Sequence, residues 1–568
     1  MMMTPTGAAR TVRFADFPTL TAALDFAATG DTGVNLFSLR GELVEALPYS
    51  RLREQAMELA QRLLAAGAKP GDSVGLIAET DADFVRAFFA CQYAGLPPAP
   101  LPLPAPLGGR EAYIEQIARM LASAKASVLI GPASMAAWLP EIAAKQPLSF
   151  AGTLADLPAA DGAELPAIQP AQTCYLQFSS GSTRFPTGVV VTHRALMANA
   201  QAITRDGLQV RPEDRAISWL PLYHDMGLIG FLLSPMTSQM TVDLLPTGAF
   251  VRRPLMWLDL ITKNGGTISY SPTFGYELCA RRAEAASIEH LDLSGWRSAG
   301  LGGDMIRTGP LRAFAERFKA VGFSDTAFVA SYGMAEATLA LSMSPLGQGL
   351  KVETLDVEQL EQGLAVITTD TDRARDFARN GPVLPHHELE VRGDDGAVLP
   401  ERGVGRIYAR GPSLMREYFE QPEETARVLS ADGWLDTGDL GYLVDGEIVI
   451  TGRGKDLIIL NGRNIWPQDL EWTAEAEIGS LRSGDVAAFS TPGEGEEVVV
   501  VLVQARGGDA ETRKALAEQV ATVLRLRHSV ETQVHLVGAH ALPQTSSGKL
   551  SRSKAKAAFL AGAYTEHG

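Results

Sequence analysis

A chain of 568 residues exceeds what one hydrophobic core usually supports, so two or more domains are predicted. Composition is that of a globular protein, 46% apolar and 20% charged, and the net charge of −16 argues against nucleic acid or an anionic membrane surface as a general partner. Three cysteines, Cys91, Cys174 and Cys279, stand far apart without a CxxC pair, which excludes a disulfide framework or thiolate metal site and predicts a reduced, cytoplasmic setting.

No signal-peptide pattern opens the chain, because Arg10, Arg13, Asp16, Asp25 and Asp31 interrupt any apolar run. Arg51–Ala66 carries Leu52, Met57, Leu59, Leu63 and Leu64 at helical spacing and ends at Gly67. "VGLIAE" (Val74–Glu79) predicts a buried strand. The next stretch predicts a helix capped by Asp81 and closed at Gly95. Ala87–Gly109 is free of charge and long enough to raise the question of a membrane span. Six prolines between Pro97 and Pro106 rule out a regular helix there, and unpaired backbone is intolerable in lipid. "ASVLIG" around Val128 and "YLQF" predict further strands. This strand–helix alternation implies a largely parallel sheet covered by helices, an α/β fold.

Further on, about Gly347 to Asn380 is charged and poor in glycine and proline, and reads as an insertion between two motif-rich stretches. "GRGKD" (Gly452–Asp456) reads as a charged, flexible joint. Beyond it, "DVAAFSTPGEGEEVVVVLVQARGG" predicts a hairpin and Ala510–His528 an amphipathic helix. The last hundred-odd residues are therefore expected to form a small α+β domain.

Candidate chemistry is scattered along this frame. Ser179, Ser180, Gly181, Ser182 and Thr183 lie between an apolar run and a β-branched run. Such a strand–loop–strand unit is either a solvated turn or a loop whose donors face phosphate. It is not a Walker A motif, and Thr187 stands where a phosphate loop would welcome lysine. His224 and Asp225 sit inside the apolar "WLPLYHDMGLIG", which suggests a pocket wall rather than a metal site. The pair His386-His387 in "LPHHELEV" is expected to alternate on a strand without chemical meaning. Glu336 in "ASYGMAEATLA" is either a solvent-facing acid at a helix start or a Mg²⁺ ligand. Asp436 and Asp439 occupy glycine turns, where a carboxylate can accept both ribose hydroxyls, and Arg453 could join them.

Read together, "SSGSTRFPTGV", "LPLYHDMGLIG", "SYGMAEA", "GWLDTGDLG", "GRGKD" and "SSGKLSR" resemble the ordered motifs of the ANL superfamily of adenylate-forming enzymes, from about residue 40 to the C-terminus. "SPTFGYELCARR", "NGRNIWPQDLE" and the extra segment within about 347–380 resemble one branch, the fatty acyl-AMP ligases. The resemblance implies a large N-terminal domain, residues 1–453, with parallel-type sheets, helices and a β-subdomain. It also implies a small mobile C-terminal α+β domain, residues 454–568.

It further implies that a fatty acid reacts with ATP to give acyl adenylate and pyrophosphate. The acyl group then passes to the phosphopantetheine arm of a holo acyl carrier protein. A CoA-using acyl-CoA synthetase is the near rival, and a non-catalytic nucleotide-binding protein on the same fold the distant one. In the roles carried over, Ser179, Ser180, Gly181, Ser182, Thr183 and Arg184 hold the ATP phosphates, and Glu336 with Thr183 orders Mg²⁺. Gly302, Gly303, Asp304, Ser331, Tyr332, Gly333 and Met334 border adenine, while Asp439 and Arg453 hold ribose. His224 gates an acyl pocket containing Met226, Gly227, Phe231 and Phe274. Lys455 is the hinge, and Lys549 is the catalytic lysine that bridges carboxylate and α-phosphate.

Overall fold

The computed structural model describes residues 12–104, 109–160, 162–179, 187–370, 374–460, 463–492, 497–544 and 550–564. Several local signals produce the elements they predict. Tyr49–Ala65 is helical, with Leu52, Leu59 and Leu63 on its buried face. Asp81 accepts from the Phe84 amide at the head of the helix Ala82–Ala94, and Gly95, at φ 67°, closes it in the left-handed region. The proline-rich segment does not break the fold. Pro98–Leu101 is the edge strand of a parallel four-stranded sheet, a place where missing amide donors are tolerated.

Among the described residues the largest sheet has eight strands. Six of these run parallel: Phe328–Gly333, Ser298–Leu301, Ile268–Ser271, Arg215–Ser218, Thr241–Leu244 and Gly33–Phe37. An antiparallel strand closes each edge. Strands buried on both faces read as near-continuous apolar runs, and here the core contains Leu301, Val329 and Ala330 with no exposure. Trp257, Tyr276, Trp296 and Phe314 pack edge to face on one another. Cys91, Cys174 and Cys279 are buried free thiols. No described helix is long and apolar enough to cross a membrane.

A six-stranded antiparallel sheet follows, and the charged stretch expected as an insertion is built into its edge. Val352–Asp356 pairs with Ala374–Pro382, which pairs with Glu447–Arg453. Between the first two strands a short helix, Val357–Glu361, is capped by Asp356. The pair His386-His387 corrects one expectation. Both lie in the turn before the strand Glu388–Arg392, with His386 at φ 66°. His387 is buried, and its Nε2 lies 2.6 Å from Ser413 Oγ.

After the turn Gly454–Asp456 the chain builds a three-stranded sheet from Val486–Pro492, Glu497–Gln504 and Thr532–Val537. Its two faces have separate apolar clusters. One is shared with the helices Pro467–Glu477 and Ala510–His528, the other with Arg552–Leu560. This unit touches the edge segment through ions. Arg463 makes a two-pronged pair with Glu361 at 3.0 and 3.1 Å, and Arg375 pairs with Asp469 while lying 4.4 Å over the Phe377 ring.

Candidate active site

The strand Thr173–Ser179 runs antiparallel to Thr187–Thr192, with Ser179 opposite Thr187. Thr187 is buried on that second strand. The connecting residues Ser180, Gly181, Ser182, Thr183 and Arg184 lie outside the described residues. Gln177 donates to the Tyr223 carbonyl at 2.8 Å, which ties this hairpin to the segment bearing His224.

Glu336 is the convergence point. It follows the strand Phe328–Gly333 in a single tight turn, Ala335–Ala337, and is 5% exposed rather than facing solvent. Its Oε1 accepts from Ser179 Oγ at 3.2 Å and from the Tyr418 phenol at 2.9 Å. Burial raises the carboxyl above its ordinary pKa, and these hydrogen bonds together with the positive field of Arg453 work against that rise. The Tyr418 segment is delivered by the hairpin itself, because Val190 and Phe419 exchange backbone bonds with Glu417 and Gly188. Gly333 must be glycine, since a side chain there would overlap the Leu339 carbonyl.

Four residues before Glu336, Tyr332 donates its phenol to Asp439 Oδ2 at 2.8 Å. Asp439 sits opposite Arg453 on paired strands, with an ion pair of 3.3 Å. Burial raises the Asp439 carboxyl, against the opposing pull of Arg453 and Tyr332, while the Arg453 guanidinium is held charged chiefly by Asp439. Arg453 remains 52% exposed, so it is open to a ligand. Gly302, Gly303 and the exposed Asp304 follow the strand Ser298–Leu301, and a Cβ at Gly302 would meet Ser331 Oγ at 3.0 Å and Met226 Sδ at 3.8 Å. Met334 is half-buried against the same cluster as Tyr332.

His224 caps the short helix Asp225–Leu228, and its Nδ1 lies 2.6 Å from Asp225 Oδ1. Met226, Gly227 and Phe231 follow on a buried path that becomes a π-turn at Ile229–Leu233, a form often kept for function. Phe274 packs edge to face on the Trp219 ring, with centroids 5.8 Å apart. Lys455 is exposed in the turn Gly454–Asp456. Lys549 lies outside the described residues. Three residues on, Arg552 binds Glu471 at 2.6 and 2.7 Å and Asp456 at 3.2 Å.

The structure thus brings Ser179, Glu336, Tyr332, Asp439 and Arg453 to one end of the parallel strands, with Gly302, Ser331 and Met226 beside them. Tyr418, Gln177 and Arg552 escaped sequence reasoning. "REYFE" has no motif spacing, and only strand pairing reveals Tyr418 as the partner of Glu336.

Residues 34–419 match the AMP-binding enzyme family. The chain is 74% identical over 566 residues to a Caulobacter vibrioides protein provisionally named acyl-CoA synthetase, covering 99% of each. It is 32% identical to JamA of Moorena producens, a medium-chain-fatty-acid–[acyl-carrier-protein] ligase, over 91% of this chain and 90% of that one. A solved structure from work on fatty acyl-adenylate ligases of E. coli and L. pneumophila superimposes with a TM-score of 0.92 at 43% identity, covering 98% and 100%.

Proposed function

The chain belongs to the AMP-binding enzyme family, in the fatty acyl-AMP ligase branch of the ANL superfamily, and we propose that it makes a medium- or long-chain acyl adenylate and hands the acyl group to an acyl carrier protein. The observation that carries this reading is the placement of two groups on one strand end. Tyr332, backed by Asp439 and Arg453, offers an aromatic face and ribose-binding oxygens, and four residues on Glu336 offers a buried carboxylate beside the phosphate-loop hairpin.

In the first half-reaction a fatty acid carboxylate oxygen bonds to the α-phosphorus of ATP, and the bond to pyrophosphate breaks. Negative charge gathers on phosphoryl oxygens, so fixed donors and cations carry the catalysis. Ser179 to Arg184 hold the pyrophosphate end, and Lys549, on a flexible stem, bridges the carboxylate and α-phosphate. His224 gates the entry of the acid. In the second half-reaction the phosphopantetheine sulfur bonds to the acyl carbon and AMP leaves.

Magnesium commonly takes one or two protein carboxylates together with substrate phosphates. Glu336 suits that pattern, because it is a single buried carboxylate, and among the described residues no cluster of three or more His, Cys, Asp or Glu forms an all-protein cage. Bound there with Thr183, the ion would neutralise phosphate charge.

We place the domain boundary at Arg453, with the hinge at Lys455, because the apolar clusters of the three-stranded sheet are drawn from residues beyond it. The edge segment within 347–380 restrains this small domain through Glu361–Arg463 and Arg375–Asp469. A second reading, transfer to free CoA, draws on the name of the Caulobacter relative. Products formed from ATP and fatty acids of graded length, offered CoA or a holo carrier protein, separate the two. Acyl-CoA at the level of acyl-carrier product favours the second reading, and absence of acid-dependent pyrophosphate release defeats both.

A further inference from the structure

We infer that Tyr270 is the floor of the acyl site and sets the length of acid that fits, an assignment that rests on the fatty-acid reading above. The strands Ile268–Ser271 and Ser298–Leu301 pair Tyr270 with Gly300. Successive strand residues face opposite sides. Ser269 accepts from Trp257 Nε1 on one side, so Tyr270 faces the other, where its ring centre is 5.9 Å from that of Phe231.

On that side the second strand is bare. A Cβ at Gly300 would overlap the Tyr270 ring, and one at Gly302 would look toward Ser331 and Met226. The Tyr270 ring fills the space over Gly300, which leaves the backbone at Gly302 as the stretch that no side chain of its own strand covers. This stretch starts beside the adenylate residues and ends against the ring of Tyr270. The tyrosine is only 8% exposed, and its hydroxyl lies beside Ser298 at the far end of the strand.

Ser331 stands at the adenylate end of this stretch, and the side chains beyond it, Met226, Phe231 and Tyr270, are apolar or aromatic. An unbranched acyl chain admitted past His224 would lie along the stretch, with its last carbons against the ring. Added methylenes need space that the ring occupies, so the length limit is steric. Gly300 serves the same end, because only glycine admits the ring so close to the strand.

The test compares acid-dependent ATP–pyrophosphate exchange for saturated acids of increasing length in wild type, Tyr270→Phe, Tyr270→Leu and Tyr270→Ala. Each methylene newly accommodated is expected to raise kcat/KM by about fourfold, the value of burying one CH₂. The optimum should move to longer acids in the Leu variant and further in the Ala variant, with KM for ATP unchanged and the Phe profile matching wild type. If the Ala variant fails to fold, the Leu variant alone decides by the same shift. An unchanged optimum in the Leu or Ala variant with wild-type KM for ATP overturns the assignment. So does a Phe variant that shifts as far as Ala, since that would credit the hydroxyl rather than the ring. A wild type without exchange for any straight-chain acid would instead defeat the fatty-acid reading itself.

Discussion

The phenol of Tyr418 donates to Glu336 Oε1 at 2.9 Å, across 82 residues of sequence. This bond stabilises the charged carboxylate that burial otherwise disfavours. Tyr418→Phe is therefore expected to lower adenylation about ten- to a hundredfold, the value of one hydrogen bond to a charged group. It should also move the acid limb of the pH–rate profile to higher pH, because the carboxyl of Glu336 loses a donor that holds it down. A rate loss with an unmoved acid limb would assign Tyr418 a packing role only.

Lys549→Ala is expected to reduce adenylation by roughly 10²–10³-fold, the scale of removing one electrostatic partner of the transition state. Transfer from preformed acyl adenylate should suffer far less. Unchanged ATP–pyrophosphate exchange in this variant would refute the role.

Thr187 is buried in the strand Thr187–Thr192, opposite Ser179. Its replacement by alanine is expected to affect KM for ATP much less than Arg184→Ala, which removes the local cation of the loop. The reverse order of effects would refute this account of phosphate binding.

Glu361–Arg463 and Arg375–Asp469 join the edge segment to the C-terminal unit. Removing only one partner of the buried pair would leave a lone charge, so both are replaced, Arg375→Met with Asp469→Leu, alongside Glu361→Ala. The triple variant is expected to form acyl-CoA beyond the wild-type level, as judged by product analysis. A folded variant with wild-type CoA product would show that these contacts do not restrain transfer.

His193 is buried, its Nδ1 accepts from the Leu20 amide at 3.1 Å, and burial depresses its pKa to about 4. The unfolded chain binds this proton near pH 6.5 and the folded chain only near 4, so stability is lost as pH falls through that window. The expected loss from this group is up to about 3 kcal/mol. Denaturant titrations at pH 7 and pH 4.5 read it, and His193→Gln should flatten the difference; an equal pH dependence in that variant would remove His193 as the cause.

What the amino-acid order determined by itself is local. Asp81 and Gly95 bound their helix because cap and left-handed turn are settled within a few residues, and Ala510–His528 forms as its spacing predicts. The ordered motifs likewise identified the adenylate-forming family. Tertiary structure decided what depends on pairings between distant segments. Glu336 is buried rather than solvated because the hairpin Thr173–Thr192 carries the segment of Tyr418 beside it. The charged stretch around 347–380 became edge strands because a neighbouring strand was available, and His387 left the expected strand for a buried bond to Ser413. Tyr270 gained its place over Gly300 from strand register, which no local pattern encodes.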